Sequence, residues 1–251
     1  IYNNLSIVMG IHRANKMINS CSLCGLCGRI CPGELDVGEV CRDARRIMVQ
    51  KGKMPPSAHD FALRDMRFSN SELCSLTRHQ PGLSVSKYAF FPGCQLAASS
   101  PSHVQKMYAF LCGKLSGGVG LMLGCCGAPA DWAGQTALFE ETLADILHKW
   151  QSLGSPQLIT ACPTCYHFLQ ARLPMNAVRD LWTLLDEVGA PEAPSRYSLR
   201  LAVHDSCMTR QEAGMQDSVR NLAQQLGCEL EELPYSRDKT TCCGYGGLVM
   251  Y

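Results

Sequence analysis

The sequence predicts an α/β protein in three parts. Residues 1–88 form a small helical region, residues 89–198 an α/β unit on a parallel sheet, and residues 199–251 the start of a second unit of the same kind, truncated. Three observations predict this. Apolar residues fall at helical spacing in the first part. From residue 88 onward short apolar strands alternate with amphipathic helices, the pattern of a parallel sheet that collects ligands at the carboxyl ends of its strands. Cys-Cys-Gly occurs twice, at Cys125-Cys126-Gly127 and Cys242-Cys243-Gly244, each some thirty residues beyond another cysteine, Cys94 and Cys207.

In the first part Asp36 is a natural N-cap, and Glu39 completes an Asp-x-x-Glu capping signature. Val37, Val40, Cys41, Ala44, Ile47 and Met48 share one face of the helix that follows. Gly52 suits its far end, and Pro55-Pro56 stops further helix. Arg78 to Ser86, with Pro81-Gly82, reads as a linker.

The second part opens with the buried strand Tyr88-Ala89-Phe90-Phe91, which enters the loop Pro92-Gly93-Cys94. Val104, Met107, Tyr108, Leu111, Cys112 and Leu115 mark a helix that Gly117-Gly118 ends. Val119 to Leu123 is the next strand and runs into Gly124-Cys125-Cys126. Leu138, Phe139, Leu143, Ile146, Leu147 and Trp150 line one face of a second helix, and Trp132 and Trp182 read as core residues. Leu158-Ile159-Thr160 then opens into Cys162-Pro163-Thr164-Cys165, so each strand ends in a cysteine loop.

The third part repeats the pattern. Leu199 to Val203 is a strand before Asp205-Ser206-Cys207; Val219, Leu222, Ala223 and Leu226 mark a helix; Thr240-Thr241 leads into Cys242. The halves align cysteine for cysteine, Cys94 with Cys207, Cys112 with Cys228, and doublet with doublet. The closing Cys-x-x-Cys has no counterpart in the second half, and the chain reads as a fragment at both ends. Cys112 and Cys228 sit on apolar helix faces and read as buried thiols.

Composition fixes the class. A chain of 251 residues, 46% hydrophobic, can build its core without covalent staples. Sixteen cysteines in such a chain point to metal, with disulfides or structural zinc as the alternatives. A net charge of +1 with no basic block argues against a nucleic-acid partner. No apolar run approaches the roughly 20 residues needed to span a bilayer. The expected compartment is the cytoplasm, with any membrane contact peripheral and made through partners.

Cys21, Cys24, Cys27 and Cys31-Pro32 match the Cys-x2-Cys-x2-Cys-x3-Cys-Pro run of bacterial-type ferredoxins. Three thiolates two residues apart can wrap a [4Fe-4S] cubane, and Gly25 and Gly28 let the backbone approach it. Zinc usually takes two separated pairs instead. The fourth ligand is open between Cys31, Cys41 and Cys74, with Cys41 also readable as a buried structural thiol.

Cys94, Cys125-Cys126-Gly127 and Cys162-x2-Cys165 resemble the cysteine-rich CCG domain of heterodisulfide reductases, which also appears in iron–sulfur subunits of anaerobic glycerol-3-phosphate and lactate dehydrogenases. A ferredoxin-type domain followed by two CCG domains looks like a fused reductase subunit of this kind. The resemblance implies a non-cubane [4Fe-4S] cluster held by Cys94, Cys125, Cys126, Cys162 and Cys165, and a second one beginning with Cys207, Cys242 and Cys243. It implies electron transfer from the cubane to the non-cubane cluster, with reduction of a disulfide or a pure relay at the end. It also implies other redox subunits as partners, above all a flavoprotein that carries the flavin. Arg78 to Gly82 and Gly124 to Gly134 look like members that work beside such a flavoprotein. His167 and His204 lie near cysteines and read as packed or hydrogen-bonded histidines rather than proton donors.

Overall fold

A computed structural model of the chain describes residues 13–55, 58–192 and 199–249. The boundary expected at residue 198 and the second proline of Pro55-Pro56 lie outside the described residues. The N-terminal part is helical: α1 (Arg13–Asn19), α2 (Leu26–Ile30), α3 (Val37–Gln50) and α4 (Asp60–Ser69). Asp36 caps α3 by accepting a 2.7 Å hydrogen bond from the Gly38 N–H. The buried face of α3 differs from the expected one. Gly38, Cys41, Ala44, Arg45 and Met48 point inward, while Val37, Val40 and Ile47 are at least 37% exposed. The stripe is rotated because a charged residue, Arg45, takes a core position.

The central part is an α/β unit with β1 (Leu76–Arg78), β2 (Tyr88–Phe91), α5 (Cys94–Ser99), α6 (Pro101–Lys114), β3 (Val119–Leu123), α7 (Ala128–Trp132), α8 (Thr136–Ser152), β4 (Gln157–Thr160), α9 (Pro163–Gln170), β5 (Val178–Asp180) and α10 (Leu181–Val188). The sheet order is β1-β3-β2-β4-β5. Strands β3, β2, β4 and β5 are parallel, and β1 adds an antiparallel edge that the linker reading of residues 78–86 did not foresee.

Period-two alternation fills both faces. Ala89, Phe91, Met122 and Leu158 face one core with α4, α7, α8 and α9; Phe90, Val119, Leu121 and Ile159 face the other with α6 and α10. Phe90 and Phe91 are essentially fully buried, worth roughly 1.5–3 kcal/mol each. All five cysteines of the first array belong to the first of these cores or pack against it.

The second repeat is a smaller parallel pair, β6 (Arg200–Val203) and β7 (Glu229–Glu232), bridged by α11 (Ala213–Gln225). Short 3-10 turns carry Cys207–Thr209, Arg237–Lys239 and Gly246–Leu248. No helix among the described residues is long and apolar enough to cross a membrane.

Candidate metal centres

The loops after β2, β3 and β4 leave the same end of the sheet, and their cysteines meet there. Cys94 begins α5, Cys125 and Cys126 precede α7, and Cys162 caps α9 while Cys165 lies in its first turn. The five thiols line one cavity and interact with one another, Cys94 with Cys125, Cys125 with Cys126, and Cys165 with both Cys126 and Cys162. Cys125, Cys126 and Cys165 are at most 3% exposed.

Helix starts aim backbone N–H groups at these sulfurs, from Gln95, Gly127, Ala128, Thr164 and Cys165. Such donors and helix dipoles favour thiolates and anionic groups. The bond from Cys125, then that from Cys165, brings the Cys126 thiol down to about 6 against its burial. The bond from Cys165 likewise brings Cys162 down to about 6. Cys94 is pushed far up, first by its bond to Cys125 and then by burial.

Gly93 is required beside this site. Its φ is +85°, and a Cβ there would stand 3.0 Å from Cys162 Cβ and 3.2 Å from Cys165 Sγ. The cavity against the five thiols measures about 80 Å3 and is walled by Met66, Trp132, Pro129, Tyr245 and Leu248 among others. A set of five thiols around one cavity at helix starts fits a multi-iron, thiolate-bound cluster. Among the described residues, no three His, Cys, Asp or Glu side chains are arranged to hold a single metal ion.

Asn70, at the end of α4, is a site residue with no signal in any motif. Its Oδ1 accepts from the Cys125 N–H at 2.7 Å and its Nδ2 donates to the Cys125 carbonyl at 3.2 Å. Asn70→Ala leaves both groups of a buried loop unpaired. The expected cost is about 1–3 kcal/mol in urea unfolding, with weakened iron retention at this site and no change in the second repeat.

The N-terminal run does not gather around one point. Cys21 touches Cys41, with Cys27 nearby, and burial pushes Cys41 up to about 11. The Leu23 N–H donates to Cys21 Sγ at 3.4 Å and the Val37 N–H to Cys27 Sγ at 3.2 Å. Cys24 turns instead toward the second repeat, where its thiol lies near Cys242 and Cys207. Arg210 fixes that junction, donating to the carbonyls of Cys24, Asp238 and Thr240 at 2.9, 2.7 and 2.6 Å. Cys31 is half-buried, its thiol lowered by the N–H groups of Leu35 and Gly33, and Cys74 is exposed.

In the second repeat Cys207 and Cys242 are half-buried and Cys243 is exposed, whereas the doublet of the first repeat is buried. His204 Nε2 lies 3.1 Å from the Thr241 carbonyl and ties the two cysteine loops together. His167 is not in the five-thiol cavity. It lines a wide cleft with Cys24, Cys207 and Glu212.

The family model of the cysteine-rich domain, CCG, matches residues 88–170 and 201–251, more than half of the chain. The chain belongs to this family. Its two matched segments are the two repeats, so the CCG chain is a duplication preceded by a segment, residues 2–36, that matches a 4Fe-4S dicluster domain. Among curated proteins it is 25% identical to one subunit of the fumarate reductase (CoM/CoB) of Methanothermobacter marburgensis, over 91% of this chain and 48% of that one. It is 22% identical to one subunit of the dihydromethanophenazine:CoB–CoM heterodisulfide reductase of Methanosarcina mazei, over 92% of this chain and 63% of that one. It is 24% identical to an EtfAB:quinone oxidoreductase of Syntrophomonas wolfei over 51% of this chain and 19% of that one. The chain thus spans less than two thirds of these relatives. No solved structure matches it.

Proposed function

We propose that this CCG chain is an iron–sulfur electron-transfer subunit of a heterodisulfide-reductase-like complex. One observation carries the reading: five thiols from three strand ends line a single small cavity. A cubane takes four thiolates, so a five-thiol set suits the non-cubane [4Fe-4S] cluster that the resemblance implies. The motif assigns Cys21, Cys24 and Cys27 to a cubane, but Cys24 stands with Cys242 while Cys41 is the thiol beside Cys21, so the run does not fit one cubane as folded here. The outward turn of Cys31 follows the two-cluster ferredoxin frame, in which the fourth cysteine of a run serves another cluster. Cys207, Cys242 and Cys243 begin a second CCG site.

When bound, the clusters supply one-electron carriers. The chain's own residues do the rest. Met66, Trp132 and Leu248 wall the five-thiol site off from water, and Asn70 fixes the Cys125 loop. The electron donor is a partner subunit, a flavoprotein on the resemblance.

A relay is favoured over disulfide reduction at this site by the volume of the cavity, about 80 Å3, against the 300–1,000 Å3 of ordinary ligand pockets. The test is stopped-flow oxidation of the loaded, dithionite-reduced chain. Cytochrome c should reoxidise the clusters at once and hydroxyethyl disulfide far more slowly. Equal rates would place the disulfide chemistry in this chain, and a chain that takes up no electrons would end the proposal.

A further inference from the structure

The cavity of the five thiols is closed from the second repeat. Most of its wall comes from α4, α7 and the loops of the first repeat, but Tyr245 and Leu248 come from the last described turn of the second. Leu248 points inward and is 3% exposed, while Tyr245 and Val249 are 44% and 38% exposed. Tyr245 meets both the cavity and solvent, so the wall is one side chain thick there.

This turn is held in an unfavourable shape. Gly247 and Leu248 both have left-handed φ, +66° and +62°. Glycine adopts such a φ freely, but leucine does so at a cost, and the strain persists only where packing over-determines it. A Cβ on Gly247 would lie 2.5 Å from the Ser22 carbonyl carbon. One on Gly246 would lie 3.4 Å from the Ser22 carbonyl oxygen and 4.0 Å from the Trp132 ring. Arg45, wholly buried on α3, donates from Nη1 to the carbonyls of Gly247 and of Trp132 in the cavity wall, both at 2.7 Å. Its other nitrogens hold the carbonyls of Ile18 and Cys21. At the near end Gly244 has φ +85° and open space where a Cβ would stand. The segment is thus latched at Gly247, plugged at Leu248 and able to turn at Gly244.

We propose that residues 244–249 are a hinged cap on the five-thiol cavity, and that lifting the cap admits small neutral solutes to the thiols. Access to the first repeat is then set by the second. The inference rests on the cavity and its wall, and on no group bound there.

The test is alkylation of the reduced, metal-free full chain by N-ethylmaleimide, read residue by residue by mass spectrometry. In the native chain Cys126 and Cys165 should react far more slowly than exposed Cys74, yet before circular dichroism reports any unfolding in urea. Leu248→Gly removes the plug and the strained leucine together, and Gly247→Ala puts a methyl group where Ser22 stands. Each should speed the reaction of Cys126 and Cys165 by about tenfold or more, as local opening does, and leave Cys112, packed on the core of the other sheet face, at its native rate. Native rates at Cys126 and Cys165 in both variants overturn the cap. A matching rise at Cys112 also overturns it, because the turn would then belong to the global fold. If neither variant folds, the native chain decides: reaction of Cys126 and Cys165 only as the chain unfolds overturns the proposal as well.

Discussion

Cys126→Ser is expected to remove about four iron atoms per chain and the whole signal of the first CCG site. Cys126 lies in the middle of the thiol set, next to both Cys125 and Cys165, and is 3% exposed. Loss of this sulfur leaves Cys94 and Cys125 on one side and Cys162 and Cys165 on the other, with no thiol between. A serine oxygen is a harder and shorter ligand than a thiolate sulfur. Cluster binding also contributes to folding, because an unfolded chain holds no preformed site. The variant should therefore unfold at lower urea than the native loaded chain, and its apo form should match native apo protein closely. Iron analysis and unfolding of loaded and apo proteins check both points. Full iron retention would remove Cys126 from the ligand set.

Arg220→Met is expected to cost about 3–5 kcal/mol, the largest stability loss from a surface-distant single change in the second repeat. Arg220 is a fork on α11. Its Nη1 and Nη2 reach the two Asp205 oxygens at 2.8 and 2.9 Å, and Nη2 and Nε both reach Glu232 on β7. Asp205 has a side chain only 3% exposed. Burial works against its charge, but the Arg220 fork and the Arg237 N–H at 2.7 Å outweigh it and hold the carboxyl below its usual range. Removing Arg220 strands that carboxylate. The damage reaches the cysteines, since Asp205 precedes Cys207 by two residues and its carbonyl accepts from Thr240, two residues before Cys242. A depressed carboxylate pKa adds stability above its ordinary value that is lost as pH falls, so the native chain should lose more stability on acidification than the variant. Urea unfolding between neutral and acid pH checks the cost and the slope.

The alternation of strands with helices was readable because each strand is short, apolar and followed by glycine and cysteine. β2, β3 and β4 appear within a residue of their expected bounds. The edge strand β1 was not, since Leu76-Thr77-Arg78 carries no burial pattern and is defined only by pairing with β3. The side chain of Arg45 escaped because a lone arginine on a helix reads as solvent-facing, and its four carbonyl partners come from segments far apart in sequence. Asn70 escaped for the same reason: its partner is 55 residues away. The spacing of Cys21, Cys24, Cys27 and Cys31 gave no hint that Cys24 and Cys31 turn away from Cys21. Direction depends on the turns between them, not on the count of residues.

The five thiols of the first repeat are proposed to hold one non-cubane iron–sulfur site. Mössbauer spectroscopy of the chain loaded with 57Fe, carrying Cys21→Ala, Cys24→Ala and Cys27→Ala together, tests it most directly. The expected result is retained iron with a spectrum distinct from a cubane, abolished by a further Cys126→Ser change. A pure cubane spectrum, or iron uptake that Cys126→Ser leaves untouched, would contradict it.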